Sequence, residues 1–319
     1  MDPSLIVIAS GSSSGSHLLA RLLCHFPPLC AGPELQILSQ PGLLNEAAYK
    51  KTLHDGLKLD APFHVPFLSD TASHLDLLDR KIIANRKFYS CSTQEQREMM
   101  VHSTNSILEL IAYLKKDLIE QHGWKKDAVL IDHAPMSSIM LNEAVEKIPG
   151  LKVIHIVRDL RDVIASMRSR RAIGPRFKDL TVEEIDNFTA QQWSLLNHAA
   201  NQIDALPNYV RIRYEELVKN PLRTVVDALR AIKINYVHQA KRDISVNIEL
   251  TKQEGWRNSP NQKVSDQSVN RYEDELTPET VNRIFQLEFD FKNSIGTVCP
   301  ADLQKLYGYP TDFSPTRFS

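Results

Sequence analysis

A short apolar run, Leu5 to Ala9, passes straight into Ser10-Gly11-Ser12-Ser13-Ser14-Gly15-Ser16-His17. After it Leu18, Leu19, Leu22, Leu23 and Phe26 recur at helical spacing. Such a run, rich in β-branched residues and bounded by small turn residues, reads as a strand buried on both faces. Pro27-Pro28 stops the helix that follows. Strand, small-residue loop, helix presents free backbone N–H groups at the positive end of a helix dipole. Small residues let a phosphate or sulfate approach that backbone, and serine hydroxyls add donors. The same residues read equally well as a flexible Ser/Gly turn with Ser14 as the helix cap. No Gly-Lys-Ser/Thr follows, so the loop is not a Walker A loop and a P-loop kinase is disfavoured.

Further strands are expected at Ala128–Ile131, Val153–Val157 and Tyr209–Arg213. Helices are expected over Gln94–His122, with Leu108, Ile111, Ala112, Leu118 and Ile119 on the apolar face, and over about Ser138–Lys147. Others start near Asp162 and span Thr181–Leu206, the latter opened by a Thr181/Glu184 capping box. Thr277-Pro278-Glu279 opens one more. Strands alternating with helices predict an α/β fold with a central parallel sheet flanked by helices in three layers. Residues 1–319 are read as one domain, with a loop-rich insertion at about 41–94 and a mobile loop at about 255–269.

Composition narrows the partners. A net charge of −1 gives no whole-molecule attraction to nucleic acid. The four cysteines form no CxxC pair, so neither a disulfide scaffold nor a zinc site is expected, and no ligand cluster has metal spacing. The N-terminal apolar run is too short and too acidic for a signal peptide, and no run reaches the length of a membrane span. A cytoplasmic protein that does not bind membranes is expected.

The most specific stretch is Lys152 to Ser166, in which Arg158 closes a strand and Ser166 lies eight residues on in the next helix. An arginine at the end of a buried strand needs a reason. Arg158 and a hydroxyl converging at the C-terminal edge of a parallel sheet suit a phosphate. Arg168 and Arg171 read instead as a solvated basic face.

Together these stretches resemble the sulfotransferase family that uses 3′-phosphoadenosine-5′-phosphosulfate (PAPS). Its fold is similar to that of P-loop NTPases. Ser14-Gly15-Ser16 is similar to the Ser-Gly-Thr of the family's 5′-phosphosulfate loop, and Arg158 with Ser166 match its 3′-phosphate grip. Arg211 to Leu217 looks like the family's Arg-Tyr-Glu-Asp-Leu segment, which implies that Tyr214 lies near the adenine. Val269-Asn270-Arg271-Tyr272 looks like its late basic-aromatic segment, which implies that Arg271 reaches the 3′-phosphate; Arg170 matches an arginine of the Golgi-type branch. The implied donor-binding residues are therefore Ser12, Ser13, Ser14, Gly15, Ser16, His17, Arg158, Ser166, Arg170, Tyr214 and Arg271. One position departs: the family's Lys or Arg before Ser-Gly-Thr is Ser13.

The reaction needs an in-line arrangement, stabilised leaving-group charge and a base for the acceptor proton. His133, in Asp132-His133-Ala134-Pro135 after a strand, matches the His-x-Pro base of cytosolic members. Imidazole titrates near ~6.5, which suits a base at neutral pH. Glu34 matches the base of tyrosylprotein-type members, in which the His133 position is a lysine. His133 therefore reads either as base or, protonated by Glu34, as the missing cation. The expected reaction is sulfuryl transfer from PAPS to a hydroxyl or amine of a small-molecule acceptor, leaving adenosine 3′,5′-bisphosphate. The alternatives are a degenerate nucleotide binder without turnover, or transfer to a protein tyrosine or glycan. A homodimer is one option for assembly. Trp193 reads as core; Trp256 and Lys263 fall in the polar loop.

Overall fold

The computed structural model describes residues 5–31, 35, 37–39, 41–57, 94–122, 124–173, 180–236, 266–291 and 296–314. Its centre is a sheet of five parallel strands: β1 (Leu5–Ser10), β2 (Leu29–Ala31), β3 (Val129–Asp132), β4 (Lys152–Val157) and β5 (Tyr209–Arg213). Their order is β2-β3-β1-β4-β5, so β1 lies in the middle. All six β1 residues are buried, as a central parallel strand requires. Alternation assigns its side chains to two faces. Leu5, Val7 and Ala9 pack with Leu110, Leu114, Leu141 and Leu196. Ile6 and Ile8 pack on the other side with Leu19, Leu23, Leu217 and Leu229.

Helices cover both faces. They are α1 (Ser16–Leu23), α2 (Glu46–Leu57), α3 (Gln94–Ser103), α4 (Ile107–His122), α5 (Leu141–Lys147), α6 (Leu160–Ile173), α7 (Val182–Asn201), α8 (Tyr214–Lys219) and α9 (Pro221–Ala231). The later chain adds α10 (Tyr272–Glu275), α11 (Pro278–Phe285), the antiparallel pair β6 (Phe289–Phe291) and β7 (Gly296–Val298), and α12 (Pro300–Leu306). A third apolar cluster, including Val157, Leu160, Trp193, Tyr272, Ile284 and Tyr309, seats these later elements against the end of β4. Among the described residues no helix is long and apolar enough to cross a membrane.

Several boundaries differ from expectation for local reasons. The helix expected over Gln94–His122 is two helices. Thr104 ends the first, its hydroxyl donating to Met100 O at 2.8 Å and accepting from Tyr49 Oη at 2.8 Å. Ser106 then opens the second by accepting from the Glu109 N–H at 3.3 Å. The break rotates the apolar face to Ile107, Leu110, Ile111, Leu114 and Leu118, which leaves Leu108 44% exposed. A 3-10 turn (Pro135–Met140) takes up the start of the helix expected from Ser138. The Thr181/Glu184 capping box forms, but its helix ends at Asn201. Arg168 is not a solvated cation: Asp186 binds it through Nε at 2.8 Å and Nη2 at 2.6 Å, and Arg283 shares that buried carboxylate. Short β2 carried too few residues to be read from the pattern. Of the 41–94 insertion, 41–57 and 94 are described and the first part is largely α2; most of the 255–269 loop, with Trp256 and Lys263, lies outside the described residues.

One buried polar group makes stability depend on pH. His155 in β4 contacts Tyr209 Oη through Nδ1 at 2.6 Å and Asn197 Oδ1 through Nε2 at 2.8 Å. Desolvation pulls its pKa down to about 4, and Arg211 adds to this against the Asn197 bond. A base depressed on folding contributes fully above its unfolded pKa near ~6.5 and loses that contribution as pH falls toward the folded value. Between pH 7.5 and 5 the parent should lose about 2 kcal/mol relative to His155→Gln. Glu215, pushed up to about 7, and Asp162, up to about 6, act in the opposite sense in both proteins. Urea unfolding of the pair at the two pH values measures the difference; parallel shifts would rule out His155 as its source.

Candidate active site

The candidate residues gather at the C-terminal edge of the sheet, beyond β1, β3 and β4. The loop after β1 turns sharply: Ser13 has φ 62° and Gly15 φ 95°. A Cβ on Gly15 would lie 2.5 Å from Tyr214 Cδ2, so the position needs glycine for both its backbone angle and the tyrosine ring beside it. Gly15, not Ser14, is the N-cap of α1, and no side chain caps the helix. The first intrahelical bond runs from the Leu19 N–H to Gly15 O at 3.0 Å, so the N–H groups of Ser16, His17 and Leu18 open toward the loop. The buried Ser14 hydroxyl has no hydrogen-bond partner among the described residues. Ser12 is half-buried, and the Ser13 hydroxyl donates to Met167 Sδ at 3.2 Å.

Arg158 joins this loop to β4. Its side chain leaves the strand end, is buried, and donates from Nη1 to Ser13 O at 2.9 Å and from Nη2 to Ser268 O at 2.6 Å. The guanidinium stacks over the Tyr214 ring at 4.5 Å, a cation–π contact strengthened by exclusion of water. Buried Arg158 Nε has no acceptor among the described residues. Trp193 supports the turn from below, donating from Nε1 to Arg158 O at 3.0 Å. The loop, the arginine and the tyrosine thus meet at one place.

The late segment closes the same corner. Tyr214 Oη and Ser268 Oγ lie 2.6 Å apart. Arg271 donates from Nη2 to Ser169 Oγ at 2.5 Å and from Nε to Glu275. Ser166 is half-buried one turn back on α6. Arg170 is on the same helix, its side chain outside the described residues.

His133 follows β3 and is buried. Its ring stands edge-on to that of His17, with centroids 4.5 Å apart, so β3 and the start of α1 bring two imidazoles together beside the loop. Asp132 builds the turn that carries His133. Its carboxylate accepts from the Ala134 N–H at 3.1 Å, Ser137 Oγ at 2.7 Å and, from a distant segment, the Ile37 N–H at 3.2 Å. Glu34, the other candidate base, lies outside the described residues.

Sequence reading missed Asp132, Ser268, Asp162 and Glu215. Buried Glu215 accepts from the Asp159 N–H at 3.1 Å and Tyr309 Oη at 2.5 Å, which fixes the peptide after Arg158. Desolvation pushes its carboxyl up to about 7. Asp132 was visible, standing next to His133; the partners of the others are too distant in sequence to be inferred. Among the described residues no group of three His, Cys, Asp or Glu side chains is placed to hold a metal.

The model of the sulfotransferase family matches residues 3–238. The chain is similar to a solved sulfotransferase domain from the curacin biosynthetic pathway (16% identity, TM-score 0.53, covering 97% of this chain and 99% of that one). It is similar also to the sulfotransferase domain of the Synechococcus PCC 7002 olefin synthase (17% identity, TM-score 0.53, 97% and 95% covered). At these identities the structures establish the fold alone. No curated protein matches the sequence. With the family model covering the loop, His133, Arg158 and Tyr214, the chain belongs to the sulfotransferase family.

Proposed function

We propose that the protein transfers the sulfuryl group of PAPS to a hydroxyl or amine of a small-molecule acceptor by in-line displacement. The observation that carries this reading is the 2.9 Å bond from Arg158 to Ser13 O, which sets the strand-end arginine against the anion loop. The residues fit the donor: a buried Ser14 hydroxyl and an Arg158 Nε that have no partner among the described residues, and a glycine cradle shaped by Tyr214. Ser12 to His17 receive the 5′-phosphosulfate with backbone N–H groups and hydroxyls. Arg158, Ser166 and Arg271 take the 3′-phosphate, with Tyr214 toward the adenine; Arg170 is assigned there by the family motif alone. PAPS supplies the labile sulfur–oxygen bond; the chain supplies alignment and proton transfer. His133 takes the acceptor proton as the acceptor oxygen or nitrogen bonds to sulfur, and the leaving phosphate departs as adenosine 3′,5′-bisphosphate. Glu34 orients or shares that proton. Ser13 stands where a cation is usual, so the alternative role for His133 is that of the missing cation, with Glu34 then as the base.

Ser13, its hydroxyl on Met167 Sδ, also favours a second reading: a nucleotide binder without turnover. Labelled PAPS offered with a panel of phenols, alcohols and amines, alongside calorimetry with adenosine 3′,5′-bisphosphate and ATP, separates the two. Preference for the bisphosphate with label moved to an acceptor is expected. Binding without transfer supports the second reading, and no preference over ATP defeats both.

A further inference from the structure

Residues 268–272 form a strap beside the site, and one buried carboxylate takes two of its backbone N–H groups. Asp162, 1% exposed in the first turn of α6, accepts from the Asn270 N–H through Oδ2 at 2.9 Å and from the Tyr272 N–H through Oδ1 at 3.1 Å. Both oxygens are thus engaged by backbone more than a hundred residues away. Between these bonds the chain turns at Asn270, with φ 56°. The strap meets the groups that the donor reading assigns to the nucleotide. Ser268 O accepts from Arg158, Ser268 Oγ meets Tyr214 Oη, and Arg271 reaches Ser169. Arg161 stacks 4.0 Å over the Tyr272 ring and fixes the strap's far end.

A carboxylate in a helix first turn gains from the dipole while exposed and does not need burial. Here burial raises the Asp162 pKa to about 6, opposed first by the nearby Arg158 charge. Desolvation of that size goes with a defined task for both oxygens, since a buried carboxylate is costly unless hydrogen bonds satisfy it. Asparagine at this position offers one acceptor and turns an amide N–H toward a backbone N–H.

Resting on the proposed donor reading, we infer that Asp162 is a positioning residue for recognition of the 3′-phosphate: it sets the strap so that Arg271 and Ser268 stand in register with Arg158. Asp162 touches neither the sulfuryl group nor the acceptor, so its loss acts on donor affinity and not on the chemical step. The test compares adenosine 3′,5′-bisphosphate with adenosine 5′-monophosphate, which lacks the 3′-phosphate. Titration calorimetry of Asp162→Asn should show the bisphosphate weakened about tenfold and the monophosphate changed less than about twofold, a loss near the low end for one charge-assisted hydrogen bond. KM for PAPS should rise by a similar factor with kcat within about threefold. Asp162→Glu, which keeps the charge but displaces the oxygens, should show the same loss of selectivity in a protein nearer parental stability. Equal weakening of both nucleotides, or an unchanged bisphosphate, overturns the inference while leaving the donor reading intact. A parent with no preference for the bisphosphate overturns both.

Discussion

Arg158→Ala is expected to weaken adenosine 3′,5′-bisphosphate by about two to three orders of magnitude. The arginine directly follows strand β4, spans Ser13 O and Ser268 O, and stacks on Tyr214. Truncation removes a buried charge, unties the loop from the strap and strands two carbonyls that had donors. The stated loss, about 3–4 kcal/mol, lies within the range for two hydrogen bonds from a charged donor to the 3′-phosphate, at about 1.5–3 kcal/mol each. Arg158→Lys should recover little, because an ammonium cannot bridge two carbonyls in a plane or stack as a guanidinium does. The arginine also braces the loop, so the thermal midpoint should fall in both variants. Calorimetry below the lower midpoint keeps the two effects apart. Bisphosphate affinity within threefold of the parent in Arg158→Ala would remove the basis of the donor assignment.

That strand-end arginine was legible in the sequence because a buried β-branched run leaves few reasons for a cation at its end. Periodicity likewise exposed β1, β4 and β5, whose apolar runs are long, and the capping box of α7. It failed where the decisive partner was remote. Thr104 breaks a helical pattern only because Tyr49, fifty-five residues earlier, shares its hydroxyl. Arg168 looks solvated until Asp186 is folded against it from another helix. The site divides in the same way. Ser14, Gly15, Arg158 and Tyr214 stand in local motifs and were readable. Asp162 was hidden, because its meaning lies in two backbone N–H groups that carry no side-chain signature. The meeting of His17 with His133 was hidden for a related reason: it depends on β3 pairing beside β1, which no local pattern states.

His133→Ala is expected to lower kcat by about 10² to 10⁴, the range for loss of a positioned general base, with KM for PAPS within a few-fold. The prediction separates His133 from Arg158, whose loss acts first on binding. The pH profile then identifies what the imidazole does. As a base it must be neutral, so kcat of the parent rises with pH as the imidazole loses its proton, and that limb disappears in His133→Gln. As the cation replacing the family's lysine it must be protonated, so kcat falls as pH rises and the imidazole loses its proton. The two roles predict slopes of opposite sign in one measurement. Glu34→Ala should lower turnover as well if its carboxylate shares the proton. Near-normal kcat in both His133→Ala and Glu34→Ala would mean that neither handles the acceptor proton, and that the reacting centre lies elsewhere on the sheet edge.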